Sequence, residues 1–407
     1  MEILEKYAEL LVKVGVNIQK SQSLVISSPI ECADFVRLVQ TRAYKSGAKE
    51  VVMRWTDEKS DKITFDLADD AIFDSIPEWV KVFFNHYSDT EAAFLHIAAS
   101  DPSLMKDVDP KRISRLTKAR NIALEHYIDR QMSNKHVWCV ASVPTLAWAK
   151  KVFPSLSDKE AMNALWNAIF KSVRADSPDP VAAWKTHGKN LQKRTDFLNK
   201  AQFKTLKYKN SLGTDLVISM PKNHIWYGGG EKSSKGYEVI ANMPTEEVFT
   251  MPHKAGANGK IVASLPLNYN GNLVEKFWFV FKDGLVTDYG AEKGMETLKE
   301  LLGIDEGAKR LGEVALVPYD SPISKQGILF YNTLFDENAS CHFALGKAYP
   351  TCIKGGEDMD KKALAANGVN DSLIHVDFMV GTKDMEISGI KEDGTELAIF
   401  RNGNFAI

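Results

Sequence analysis

The spacing of apolar positions changes character near the middle of the chain. Leu4, Tyr7, Ala8, Leu11 and Val14 recur at helical intervals, which predicts a helix over 2–15. Leu24-Val25-Ile26 is a short apolar run that halts at Ser27-Ser28-Pro29, as a buried strand would. Residues 31–46 read as a helix closed by Gly47, and Val51-Val52-Met53-Arg54-Trp55 as the next strand. A strand–helix–strand unit of this kind implies parallel pairing through a right-handed crossover. Residues 92–99 and the run Val137-Trp138-Cys139-Val140 add two strands, with one long helix over 111–131 between them. The alternation predicts an α/β domain with an open, mostly parallel sheet and helices on both faces. Residues 157–201 are helical in pattern, interrupted by Ser177-Pro178-Asp179-Pro180. Ser157 and Glu160 have capping-box spacing, and Asp179 is placed to cap a helix whose first residue is Pro180.

Beyond about residue 190 the punctuation becomes that of hairpins. Strands over 206–208 and 216–220 flank Asn210-Ser211-Leu212-Gly213. Strands over 260–267, 273–281 and 285–289 are separated by Asn270-Gly271 and Asp283-Gly284, dipeptides suited to type I′ turns. Asp393-Gly394 and Asn402-Gly403 repeat the device, and one helix over 292–302 stops at Gly303. The expectation is an α+β domain rich in antiparallel strands over 191–407, following an α/β domain over 1–190.

Composition narrows the class. A chain of 407 residues exceeds one ordinary core. Its 44% hydrophobic and 26% charged residues are those of a globular protein, and a net charge of −2 gives no reason to expect nucleic acid or an anionic membrane as partner. Cys32, Cys139, Cys341 and Cys352 are scattered without a C-x-x-C, as reduced thiols of a cytoplasmic protein would be. The N-terminus reads as an amphipathic helix rather than a signal peptide, and no apolar run approaches the roughly 20 residues that span a bilayer. The first half has no glycine-rich phosphate loop, and His86, His96, His126 and His136 each stand alone. It reads as scaffold, lid or interface.

The unusual polar residues lie in the second half. In Asn370-Asp371-Ser372-Leu373-Ile374-His375-Val376-Asp377-Phe378-Met379-Val380, a strand pattern, His375 and Asp377 point to the same face. They are a buried hydrogen-bonded pair, an edge-strand pair facing water, or two metal ligands. Asn242-Met243-Pro244-Thr245-Glu246-Glu247-Val248-Phe249-Thr250 sets two carboxylates in an apolar, strand-like run. Leu311-Gly312-Glu313-Val314-Ala315-Leu316-Val317 sets one in a strand that is otherwise wholly apolar, where an unpaired charge is costly. Glu337 and His342 sit in Asp336-Glu337-Asn338-Ala339-Ser340-Cys341-His342-Phe343-Ala344-Leu345, read as a short helix that Gly346 ends. The carboxylates of Glu247, Glu313, Glu337 and Asp377 with the imidazoles of His342 and His375 are about what two divalent ions require, one carboxylate bridging.

These motifs resemble those of the bacterial metalloaminopeptidase family of aminopeptidase T, aminopeptidase S and PepS. The matching stretches include Gly228-Gly229-Gly230, the Thr245-Glu246-Glu247 run, the 336–342 segment and the 370–377 strand, and the likeness extends along the whole chain. The resemblance implies a metal-dependent aminopeptidase acting on peptides with a free N-terminus, and a homodimer. It implies two divalent metal ions (zinc, cobalt or manganese) held by Glu247, Glu313, Glu337, His342, His375 and Asp377. Glu313 would be the bridging ligand, and Tyr349 matches the tyrosine that assists catalysis. A dinuclear dipeptidase, another amidohydrolase, and a non-catalytic metal-stabilised binding protein are the competing expectations. The glycine triplet would serve either a close substrate backbone or a plain turn.

Overall fold

The structure, a computed structural model, describes residues 2–407. The chain forms two compact units: Met1–Lys189 with Gly230–Thr245 and Ile328–Phe335, and Asn190–Gly229 with Glu246–Gly327 and Asp336–Ile407.

In the first unit, strands β1 (Ser23–Pro29), β2 (Glu50–Thr56), β3 (Ala93–Ile97) and β4 (Trp138–Ala141) make a parallel sheet in the order β2-β1-β3-β4. The β-branched and aromatic residues of these runs suit a sheet buried by helices. β1 extends through Pro29, beyond the expected stop at Ser27. The edge at β4 is covered: Val140 N–H donates to Ala241 O and Met243 N–H to Val140 O, so 241–243 supplies hydrogen bonds that a bare edge would lack. The expected helix over 111–131 is two helices, Pro110–Ala123 and Glu125–Met132, broken at Leu124, whose φ of −102° and ψ of 14° leave the helical region. The Ser157–Glu160 capping box is present, and Asp179 accepts from Ala182 N–H ahead of the Pro180–Ala201 helix.

The second unit is built on two large antiparallel sheets and one small separate hairpin. The larger runs β10-β9-β8-β6-β5-β14-β15-β16, from β5 (Thr205–Lys209), β6 (Asp215–Ser219), β8 (Ala257–Val262), β9 (Trp278–Lys282), β10 (Leu285–Gly290), β14 (Glu386–Ile390), β15 (Glu396–Arg401) and β16 (Asn404–Phe405). The smaller runs β13-β12-β11-β7, from β7 (Val248–Thr250), β11 (Leu311–Leu316), β12 (His342–Gly346) and β13 (His375–Met379). Asn270-Gly271, Asp283-Gly284 and Asn402-Gly403 have positive φ at both residues, as type I′ turns need; at 393–394 only the glycine does. The expected strands over 260–267 and 273–281 are each interrupted. Pro266 cannot donate to a ladder and Lys276 has a φ of 48°, so residues 267–269 and 272–274 form a separate small hairpin. The two sheets meet through aromatic rings: Tyr208 lies 5.1 Å from Phe343, and Phe279 5.2 Å from Phe378. Among the described residues no helix is long and apolar enough to cross a membrane.

Candidate metal centre

The smaller sheet gathers the polar residues by its register. Glu313 pairs with Ala344, and Ala344 with Asp377, so the two carboxylates flank a methyl group on one face. His342 and His375 are each two residues before Ala344 and Asp377, and therefore share that face. The opposite face carries Val314, Phe343, Leu345 and Phe378 into the hydrophobic core. Burial of these apolar side chains, about 1.5–3 kcal/mol each, anchors the strands that present the polar set.

The pairing contains one irregularity. Leu311 is opposite Leu345 and Glu313 opposite Ala344, so Gly312 is an extra residue, a β-bulge. In a regular strand Glu313 would follow Leu311 into the core; the bulge turns it to the other face. Only glycine fits, because a Cβ on residue 312 would lie 2.4 Å from Gly346 O and 2.6 Å from Lys347 O. Sequence reasoning passed over Gly312, although an isolated glycine in a strand pattern is a bulge signal.

The side-chain geometry converges on Glu313. His342 Nε2 lies 3.0 Å from Glu247 Oε2 and 3.8 Å from Glu313 Oε1. His375 Nε2 lies 3.2 Å from Glu313 Oε2 and 3.6 Å from Asp377 Oδ1. Two trios result, Glu247–Glu313–His342 and Glu313–His375–Asp377, each with ligand atoms within 4.8 Å of one another, and Glu313 belongs to both. Glu337 joins neither trio, but its charge acts on the same cluster. It sits in a 3-10 turn, and His342 opens strand β12 rather than lying in the expected helix. The strand-like run at 242–250 is a strand only over Val248–Thr250, so Glu246 and Glu247 precede it. The Tyr349 ring stands edge-on to His375 at 5.1 Å and 5.7 Å from Phe249. Gly228 lies against the ligand segment itself: a Cβ there would come within 2.8 Å of Glu247 O. The close backbone approach at this glycine is thus to the chain's own backbone.

The donor set fits a cation. His342 Nδ1 is 2.9 Å from Glu337 O, and His375 Nδ1 is 2.7 Å from Lys347 O. Carbonyls only accept, so both Nδ1 atoms donate, and a neutral ring presents its Nε2 lone pair to the site. That lone pair faces carboxylate oxygens, which are also acceptors. A proton or a cation must stand between them. Asp377 Oδ1 is buried and accepts no hydrogen bond. Burial opposes charging both imidazoles, but Glu247 and Glu313 around His342, and Asp377 and Glu313 around His375, raise each well above the ordinary histidine value. Burial raises the Glu247 carboxyl, and burial with the Asp377 charge raises Glu337 further. Burial would raise Asp377 too, but the adjacent His375 outweighs it and holds that carboxyl low. Carboxylates and imidazoles tied at Nδ1 to carbonyls are the ordinary ligands and supports of a divalent transition metal.

The pattern of the family of thermophilic metalloproteases (M29), peptidase M29, matches residues 1–405. The chain is 49% identical to aminopeptidase 2 of Geobacillus stearothermophilus over 403 residues, covering 99% of this chain and 97% of that protein. It is 47% identical to aminopeptidase AmpS of Bacillus subtilis (strain 168) over 403 residues, covering 99% and 98%. Its fold is similar to that of wild-type AmpT from Thermus thermophilus, with a TM-score of 0.90 and 38% identity over 100% of this chain and 99% of that one. With a family match along nearly its full length and a carboxylate–imidazole cluster that could hold a metal, the chain belongs to the peptidase M29 family and is a metalloaminopeptidase, a hydrolase.

Proposed function

We propose that this enzyme removes the N-terminal residue from peptides with a free amino terminus, using two divalent ions held by Glu247, Glu313, Glu337, His342, His375 and Asp377. The observation that carries the reading is the position of Glu313, which turns Oε1 toward His342 and Oε2 toward His375 and so belongs to both trios. One carboxylate with an oxygen for each site is the arrangement a bridging ligand requires. When bound, the ions supply Lewis-acid polarisation of the scissile carbonyl and acidify a water toward neutrality. Zinc, cobalt and manganese all suit this ligand set.

The chain's own groups do the remaining work. His342 and His375 are held by their Nδ1–H bonds with Nε2 directed into the site. Tyr349, packed against His375, donates its hydroxyl hydrogen to the oxyanion that develops on the substrate carbonyl. Phe249 and the buried residues beside it exclude water from the Tyr349 side. The likeness to the family along the whole chain supports a cytoplasmic homodimer, which mass measurement in solution and cell fractionation check.

The test is a panel of aminoacyl anilides, their N-blocked counterparts and dipeptides. Chelated protein is resupplied with zinc, cobalt or manganese singly, and bound metal is counted. The expected result is no activity after chelation, recovery with a divalent ion, cleavage of free-amine substrates only, and two ions per chain at saturation. Full activity in metal-free protein, or equal cleavage of N-blocked substrates, overturns the proposal.

A further inference from the structure

Asn338 is fully buried beside the cluster, and its side chain ties together the segments that carry three of the proposed ligands. Its Oδ1 accepts from Glu246 N–H at 2.7 Å, in the peptide just ahead of Glu247. A backbone N–H can only donate, which fixes the amide orientation and leaves Nδ2 facing the other way. There Nδ2 lies 3.3 Å from Glu337 Oε1. The main chain on either side is also engaged: Asn338 O accepts from Ser321 Oγ at 3.1 Å, and Glu337 O receives His342 Nδ1 at 2.9 Å. One short amide thus joins the Glu247 segment, the Glu337 carboxylate and the turn that orients His342.

We infer that Asn338 is a positioning residue for the metal centre, setting the Glu337 carboxylate against the Glu247 segment without itself touching an ion. The inference rests on the proposed ligand role of Glu337. The physical reason is the orientation of a buried carboxylate. Glu337 is buried among other carboxylates, and a carboxylate accepts only, so its orientation depends on whichever groups donate to it. Asn338 supplies one such donor and takes its own position from the Glu246 peptide. No other uncharged side chain of this length offers a donor and an acceptor on one rigid plane.

The experiment uses full-length protein with cobalt(II) as the probe. Asn338→Ala removes both bonds and is expected to weaken cobalt affinity about 10- to 100-fold, read by competition with a chelator. The thermal midpoint of the metal-free protein is measured beside it; a lowered midpoint with parental affinity means ordinary core support and overturns the inference. Asn338→Asp is the second variant, and it decides if the first does not fold. It keeps the shape and the acceptor for Glu246 N–H but turns the contact with Glu337 from attraction to repulsion, so the cobalt absorption bands should shift or change intensity. Unchanged bands overturn the inference. Glu337→Gln separates the two levels. If it alters affinity and spectrum while the Asn338 variants match the parent, only the positioning role fails. If Glu337→Gln itself matches the parent, the ligand reading fails and the positioning role with it.

Discussion

Leu311 and Glu313 are two residues apart on one strand and face opposite sides of the sheet. Leu311 packs in the core, while Glu313 stands between His342 and His375. Gly312 makes this possible, and the local geometry leaves no room for a side chain there. Gly312→Ala should therefore displace strand β12 or rotate Glu313. We expect a loss of about 1–3 kcal/mol of stability, as for other overpacked sites, with a larger proportional loss of bound metal. Urea unfolding and metal counting on the purified variant check this; parental metal content would show that the bulge does not aim Glu313.

The adjacent glutamates should not be equivalent. Glu247 Oε2 faces His342, whereas the charge of Glu246 acts on Arg194 and its peptide N–H is held by Asn338. Glu247→Gln should lose metal or nearly all activity, and Glu246→Gln should retain both ions. Metal analysis of the two variants decides, and the reverse pattern would exchange their roles.

Tyr349→Phe should act on turnover rather than on metal. Losing one hydrogen-bond donor to an oxyanion typically lowers kcat by about 10²–10³. Steady-state kinetics with parallel metal counting measures this. A rate within about twofold of the parent would leave Tyr349 as a ring packed between Phe249 and His375.

The first unit carries its own acid sensitivity, remote in sequence from the proposed ligands. Burial, with Arg130 nearby, pushes the His136 imidazole down to about 3. Its Nδ1 meets Ser88 Oγ at 2.8 Å, and Arg130 Nε already donates to that oxygen at 2.9 Å. An unfolded histidine titrates near pH 6.5, so between about 6.5 and 3 the unfolded chain binds a proton that the folded chain refuses. This contribution to stability is full above about pH 6.5 and declines as pH falls, by about 1.4 kcal/mol per unit. His136→Asn removes the titration, and its urea midpoint should fall less steeply between pH 6 and 4 than the parent's. Parallel slopes would show that His136 does not control this range.

Much of this was legible in the sequence. The alternating elements of the first half and the paired-residue turns of the second follow from local preference, and His375 with Asp377 follows from a period of two. The less legible parts depended on neighbours. His342-Phe343-Ala344-Leu345-Gly346 contains good helix formers, yet pairing with β11 and β13 on either side makes it a central strand, a tertiary override of propensity. The break at Leu124 carries neither glycine nor proline, so no residue type announces it. The facing of Glu313 depended on one unpaired residue, and counting by twos along the strand points it the wrong way. The amide of Asn338 gave no signal, because its partners are set by the meeting of segments about ninety residues apart.

The smaller sheet also has a consequence in time. Its last strand, β13, brings His375 and Asp377. On the proposed ligand set, a growing chain acquires Glu247, Glu313, Glu337 and His342 first and lacks two of the three members of one trio, Glu313–His375–Asp377, until β13 is made and seated. Domains fold as units during synthesis, so a partly translated second unit has an open edge at β12 and no complete second site. On that ligand set the second site is therefore the last to be completed, and the unit around it still awaits β14, made later, which pairs with β5.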